Sequence, residues 1–246
     1  MSQTVTRALS LLTELAEGER SLEQLAGLLG VHKTTALRLL QSLEEARLVY
    51  RDADYRYHLG AGLFALSSRA LEQRSVRRTA APHLAELSAA TGQTVHLAAL
   101  EGGEVVYIDK FESRQPVRMY SRIGLPVAMH CAAVAKVLLA DLPLPERQRL
   151  VAALEFTPFT ERTLTTPKAL LAELAQVAGQ GWAQDRAEHE PFMNCVAAPI
   201  RDATGRVVAA ASLSVPDLVL PYERVLELLP QLLATSAAIS ADCGSP

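Results

Sequence analysis

The feature that most narrows what this chain can fold into is a connection of about two to three residues between two helical segments, the length used by helix-turn-helix units. Ser21 followed by Gln24 forms a capping box, the Ser hydroxyl bonding an orphan amide and the Gln reaching back to the cap, so a helix is predicted from there to about Leu29. Gly30 supplies a sharp turn, and a third helix is predicted from about His32 to Ala46. Upstream, residues 4–17 place Val5, Ala8, Leu11, Leu12 and Leu15 at helical spacing before "GER" breaks the pattern. Downstream, "LVYRD" and "YRYHLG" are two β-rich pieces separated by Ala53 and Asp54, which read as a hairpin. Three helices and a hairpin make a winged helix over residues 1–60.

The third helix then shows what such a unit could do. At 100° per residue Ala36, Leu40 and Leu43 fall on one side, and Thr34, Thr35, Arg38, Gln41, Ser42 and Glu45 fall opposite. Thr can meet a phosphate or a thymine methyl, Arg can fork onto guanine and Gln can pair with adenine, so this face suits a DNA major groove. Lys33 lies off the face and suits phosphate, as do Arg51 and Arg56 on the hairpin. The bland alternative is a solvated polar face, the better choice for an arbitrary amphipathic helix. Here the capped second helix, the short turn and the wing all favour DNA. Residues 1–60 hold seven Lys/Arg and eight Asp/Glu, a net of 7 − 8 = −1, so any attraction to phosphate is local and non-specific affinity is expected to be modest.

The chain of 246 residues allows a second domain, with 49% hydrophobic and 21% charged residues and a net charge of −3 that describe a folded protein. Its first residues lack a basic start, a long apolar run and a small-residue cleavage site, so no signal peptide is expected. No stretch approaches the roughly 18 apolar residues of a membrane span. Cys131, Cys195 and Cys243 are odd in number and widely spaced, which fits neither a disulfide framework nor a paired zinc motif, and a reducing cytoplasm is expected. Residues 61–75 read as a linker helix, with "RSVRRTA" marking the boundary. In 76–246, strands are predicted at 94–100, 104–111, 116–123, 182–187, 194–201 and 206–215, with Gly102-Gly103 and "DATGRV" as hairpin turns. Helices are predicted at 76–90, 131–141, 145–154, 167–179 and from about Tyr222. Strands flanked by helices imply an antiparallel α+β sheet.

At this point the sequence resembles the isocitrate lyase regulator (IclR) family of bacterial transcription factors. "TRALSLLTELA", "SLEQLAGLLGVHKTTALRLLQSLEEARLV" and "YRYHLG" are similar to its winged helix. "GLPVAMHCAAVAKVLLADLP", "GWAQDRAEHEPFMNCVAAPIRDATG" and "ASLSVP" are similar to its effector domain. The resemblance implies an α+β protein with a GAF-like or profilin-like C-terminal domain, binding double-stranded operator DNA as a homodimer or homotetramer and responding to a small metabolite, often a carboxylate. It implies a pocket drawn from Met119, Val127, Ala133 and Val134 on one side and Asp185, Met193, Cys195, Ser212 and Ser214 on the other, with no cofactor, metal or catalytic residue. The chain departs from the family pattern in having Ala135 before Lys136 and Phe192 where Gly is usual, so Phe192 is expected to add bulk beside the pocket.

Elementary geometry supports part of that pocket. Ser212 and Ser214 are two apart in a strand and share a face, where paired hydroxyls suit a carboxylate or satisfy one another in a core. Ala132 and Ala133 at a helix start offer backbone amides to an anion. Two other function classes compete. Cys195, His130, His189 and Asp185 could form a thiol hydrolase or metal site, although no H-E-x-x-H, C-x-x-C or nucleophile-elbow spacing fixes them; His130 reads as a backbone-satisfied residue at a helix start and His189 as a loop residue. Alternatively the second domain only dimerises, through Leu63, Leu66 and Leu71 of the linker helix, whose simpler reading is packing onto the winged helix.

Overall fold

The computed structural model describes residues 3–73, 75–113 and 121–245. The chain divides into two compact units, Met1–Gln73 and Arg74–Pro246.

The first unit contains α1 (Gln3–Ala16), β1 (Arg20–Ser21), α2 (Leu22–Leu28), α3 (Lys33–Glu45), β2 (Val49–Arg51), β3 (Arg56–Leu59) and α4 (Gly62–Glu72). The capping box is present as read: the Gln24 amide donates to Ser21 Oγ (3.3 Å) and the Ser21 amide to Gln24 Oε1 (2.9 Å). Gly30 turns the chain in the left-handed region at φ 62°, and α3 starts one residue later than expected because His32 is its N-cap. Leu11, Leu15, Leu25, Leu39, Leu40, Leu43, Val49 and Tyr57 form the core. Val5 does not join it and is 57% exposed. The wing is a three-stranded sheet in the order β1-β3-β2, with Arg20 opposite Tyr57. A two-residue strand carries no alternation, which hides β1 from sequence. Gly60 and Gly62 sit against the Arg47 carbonyl, where a Cβ would come within 2.3 and 2.7 Å. This close approach lets α4 leave the wing. The expected packing of α4 onto the winged helix is not what Leu66 does, since it is 59% exposed and α4 has no buried residue.

The second unit contains α5 (Ser75–Thr91), β4 (Thr94–Glu101), β5 (Glu104–Phe111), α6 (Ala133–Asp141), α7 (Leu144–Ala153), α8 (Pro167–Gln180), β6 (Ala183–Arg186), β7 (Met193–Arg201), β8 (Val207–Pro216), α9 (Tyr222–Glu227) and α10 (Leu229–Asp242). The five strands are antiparallel in the order β5-β4-β8-β7-β6. Gly102 and Gly103, both in the left-handed region, make the two-residue turn between β4 and β5. Alternation sorts each strand between two cores. Val95, Leu97, Ala99, Leu213 and Val215 join Leu84, Leu232 and Ile239 of α5 and α10. Ala98, Ala197 and Ala210 join α6, Val151 and Leu174 on the opposite face. Helix α6 is buried on all sides over Ala133–Ala140, which its apolar sequence permits everywhere except at Lys136, whose charge is met by Glu188 and Glu173.

Three expectations need correction. The strand at 116–123 falls mostly outside the described residues, and 121–123 are not strand. The helix expected at 131–141 begins at Ala133, because the Cys131 and Ala132 amides close a turn on the Ala128 carbonyl. The C-terminal helix is two, broken at Leu228, with Pro230 opening the second where a missing amide costs nothing.

Candidate functional site

Two surfaces carry chemistry, one in each unit. On α3, Thr34, Thr35, Arg38, Gln41 and Ser42 are all exposed, and Ala36, Leu39, Leu40 and Leu43 are buried on the other side. They are not equally free. The Thr34 hydroxyl is 3.0 Å from His32 Nδ1, and Ser42 Oγ donates to the Arg38 carbonyl (3.2 Å). Among the described residues the side chains of Thr35, Arg38 and Gln41 have no hydrogen-bond or ion-pair partner, so this part of the face is available. Lys33 pairs with Glu23 at the surface. On the wing, Arg51 lies over the Tyr55 ring (5.0 Å) and Arg56 Nε is 3.2 Å from Glu19 Oε1. Asp52 orders the wing turn by accepting from the Asp54 and Arg56 amides (3.0 and 2.9 Å) and lies 2.6 Å from His58 Nε2. The His58 contact and the Arg56 amide hold its carboxyl below the usual range. Glu19, Asp52 and His58 place three potential metal-ligand atoms within 4.8 Å of one another. The imidazole contact, the amides and Arg56 already account for that grouping.

In the second unit, strand register brings distant residues into one row. Asp185 on β6 opposes Cys195 on β7, Cys195 opposes Ser214 on β8, and Ser214 opposes Thr94 on β4. The adjacent row contains Ala197, Ser212 and His96. From these rows Asp185, Cys195, Ser214, Ser212 and His96 floor a cavity of about 880 Å³, counting the open solvent at its mouth. Ala132, Ala133 and Val134 at the start of α6 form one wall, Val127 and Leu125 another, and Met193 a third. Of the residues the resemblance names, Met119 lies outside the described residues and all the others line this cavity. Phe192 is 46% exposed and is not among the residues that line it, although its neighbour Met193 is.

The cavity's charges are set by burial. Asp185, 4% exposed, accepts from the Glu188 amide (2.7 Å), and burial pushes its carboxyl up to about 6 against the pull of that amide and Lys136. Lys136 is fully buried behind the cavity and donates to Glu188 Oε1 (2.6 Å), the Gln184 carbonyl (2.9 Å) and Glu173 Oε1 (3.3 Å). Burial raises Glu188 to about 7, opposed by Lys136. The α6 N-cap, Ala132, provides no side-chain cap, and the amides of Ala133 and Val134 precede the first amides bonded back into the helix, those of Ala135 and Lys136. A helix start of this kind presents donors to an anion.

The thiol-hydrolase arrangement is not assembled. Burial drives the Cys195 thiol upward, the opposite of an activated nucleophile, and its hydrogen-bonding neighbour is Ser214 rather than an imidazole. His130 is bonded to the Thr157 carbonyl (2.9 Å) and stacks on Phe159, as its backbone-satisfied reading required. His189 is an exposed loop residue at the cavity mouth. Sequence reasoning missed His96, Tyr107 and Ser121, which also line the cavity. Alternation held the signal for His96: once Val95, Leu97 and Ala99 face one core, residue 96 must face the other layer.

Residues 4–53 match the family described as the IclR helix-turn-helix domain, and residues 68–241 match the bacterial transcriptional regulator IclR C-terminal family. The chain belongs to the IclR family. It is 35% identical over 243 residues to the HTH-type transcriptional regulator KdgR of Escherichia coli, covering 98% of this chain and 92% of KdgR. The crystal structure of Thermotoga maritima IclR superposes with a TM-score of 0.85 at 32% identity, covering 99% and 100% of the two chains. An IclR homolog from Microbacterium hydrocarbonoxydans, complexed with 4-hydroxybenzoate, shares the fold at a TM-score of 0.83 and 22% identity, covering 98% and 99%. This IclR-family chain is therefore a DNA-binding transcriptional regulator. No described helix is long and apolar enough to cross a membrane.

Proposed function

We propose that this regulator binds operator DNA through α3 and the wing, and that a small acid held in the cavity of the second unit modulates that binding. Thr35, Arg38 and Gln41 read base edges, with Thr34 and Ser42 closing the same face; Lys33, Arg51 and Arg56 grip flanking phosphates. Val127, Ala133, Val134, Asp185, Met193, Cys195, Ser212 and Ser214 hold the ligand. Residues 1–60 act as the DNA-binding domain, 61–75 as linker and 76–246 as the effector-binding and oligomerisation domain, working as a homodimer or homotetramer in the cytoplasm.

The observation that carries the ligand reading is the pairing of a cross-strand row of polar side chains with the unbonded amides that start α6 in the same cavity. A few oriented polar groups among apolar walls hold and align a small molecule. The amides and serine hydroxyls suit an acid group, and 4-hydroxybenzoate in the Microbacterium relative makes aromatic acids a reasonable first class of probe. A thermal-shift screen of small carboxylates and aromatic acids tests the reading, since a ligand that binds only the native state raises the melting temperature. A concentration-dependent rise abolished by Ser214→Ala supports it. A flat response across a broad panel supports a second unit that only dimerises.

A further inference from the structure

His96 is a buried imidazole that neither the DNA surface nor the proposed ligand set uses. It stands on the α6-facing side of β4, 2% exposed, with Nε2 2.7 Å from Ser121 Oγ and Nδ1 3.2 Å from Ser214 Oγ. The Tyr107 ring lies tilted beside it at 4.7 Å between centroids. Ser212 and Lys110 oppose it in register on the two neighbouring strands, and Lys110 Nζ donates to the Ser121 carbonyl (3.0 Å).

A neutral imidazole has one N–H and one lone pair, so its two serine contacts must have opposite polarity. The lengths fit one of the two arrangements better. A separation of 2.7 Å is that of a hydroxyl donor, whereas 3.2 Å lies at the long end of N–H donation. In the arrangement these lengths fit, Ser121 donates to Nε2 and Nδ1–H donates to Ser214 Oγ. Ser214 keeps its own proton, turned away from His96 toward the cavity and its hydrogen-bonding neighbour Cys195, from which a ligand oxygen would take it over.

We infer that His96 is a positioning residue for ligand binding: fixed as the Nδ1–H tautomer between Ser121 and Ser214, it makes Ser214 a hydrogen-bond donor to the cavity and so selects ligands that present an acceptor oxygen there. The opposite tautomer would turn the Ser214 proton onto Nδ1 and leave Ser214 to offer only lone pairs to the cavity, which an acid group cannot use as a donor. Burial, reinforced by Lys110, pushes the imidazole down to about 3, so the ring stays neutral and the arrangement does not invert near neutral pH. The charged and titratable groups around it and its cavity are Lys110 and Tyr107 on β5, Asp185 on β6, Cys195 on β7, and His189 and Glu190 in the loop between β6 and β7. The ligand role rests on the cavity reading proposed above; the tautomer does not.

The first test is an imidazole ¹⁵N–¹H correlation spectrum of the full chain at neutral pH, with His96 assigned by loss of its signals in His96→Asn. The expected result is a protonated Nδ1 and a lone pair on Nε2, unchanged between about pH 5 and 8. A protonated Nε2, or titration in that range, overturns the assignment. The second test is calorimetric titration with acetate, lactate and 4-hydroxybenzoate. An Asn amide can stand in for Nδ1–H, a Gln amide reaches only the Nε2 position, and Leu supplies neither. His96→Asn is expected to bind within about threefold of the native protein and His96→Gln and His96→Leu roughly tenfold or more weaker, at matched melting temperatures. Equal losses in all three variants, or native affinity in His96→Leu, overturn the positioning role. If none of the three acids binds the native protein, the ligand role fails, and the spectrum still decides the tautomer by itself.

Discussion

The two units place their chemistry in opposite ways. On α3 the polar residues come from one stretch of nine positions, and all face solvent. In the cavity the polar residues come from β4, β6, β7 and β8, and most are buried. A surface that must meet a large anionic polymer can be built locally on one helix face. A site that must enclose a small molecule needs walls from several strands, and its charges are then governed by desolvation. The contrast implies that changes to the buried charges of the cavity act on stability and ligand response together, while changes on α3 act on DNA affinity alone.

The largest expected effect tests the buried side of that contrast. Lys136→Ala leaves Glu188 without its cation, and removal of one partner from a buried pair is expected to cost about 3–5 kcal/mol, read as a drop in melting temperature. Lys136→Met combined with Glu188→Gln should recover most of it. Asp185 and Glu188 both have folded-state pKa values raised above their unfolded ones. Their contribution is therefore fully present below about pH 4 and is lost as pH rises through about 6 and about 7. Stability should fall between about pH 5 and 8, and Asp185→Asn should flatten the lower part of that decline.

On the exposed side, Arg38→Ala should weaken specific operator binding by about 1–3 kcal/mol in an anisotropy titration, with no change in melting temperature. A matched loss of stability would break the contrast. Ser21→Ala removes the capping box that starts α2 and should cost about 1 kcal/mol of stability. The smallest effect is expected at Phe192→Gly, within about 0.5 kcal/mol in ligand affinity, because that side chain is exposed and outside the cavity lining.

The same contrast explains what sequence alone reveals. The α2 cap, the Gly30 turn and the polar face of α3 are legible because each depends on residues within about four positions of one another. Strand alternation and the Gly102-Gly103 turn are legible for the same reason. The convergence of Asp185, Cys195 and Ser214 is not, because register between three strands decides it; those residues were reachable through family resemblance rather than through local pattern. His96 escaped both routes, since a lone histidine in an apolar strand gives no local sign of what opposes it. β1 escaped because two residues carry no period.

The central claim is that occupancy of the cavity changes how the winged helix binds DNA. Its most direct test is an operator titration, using a fragment recovered by genomic capture of DNA bound to this protein, with and without a small acid already shown by thermal shift to bind. The expected result is a change in operator Kd of roughly 5- to 150-fold in the native protein, absent in Ser214→Ala, whose Kd without the acid is unchanged. An acid that stabilises the native protein yet leaves its operator Kd unaltered would contradict the account.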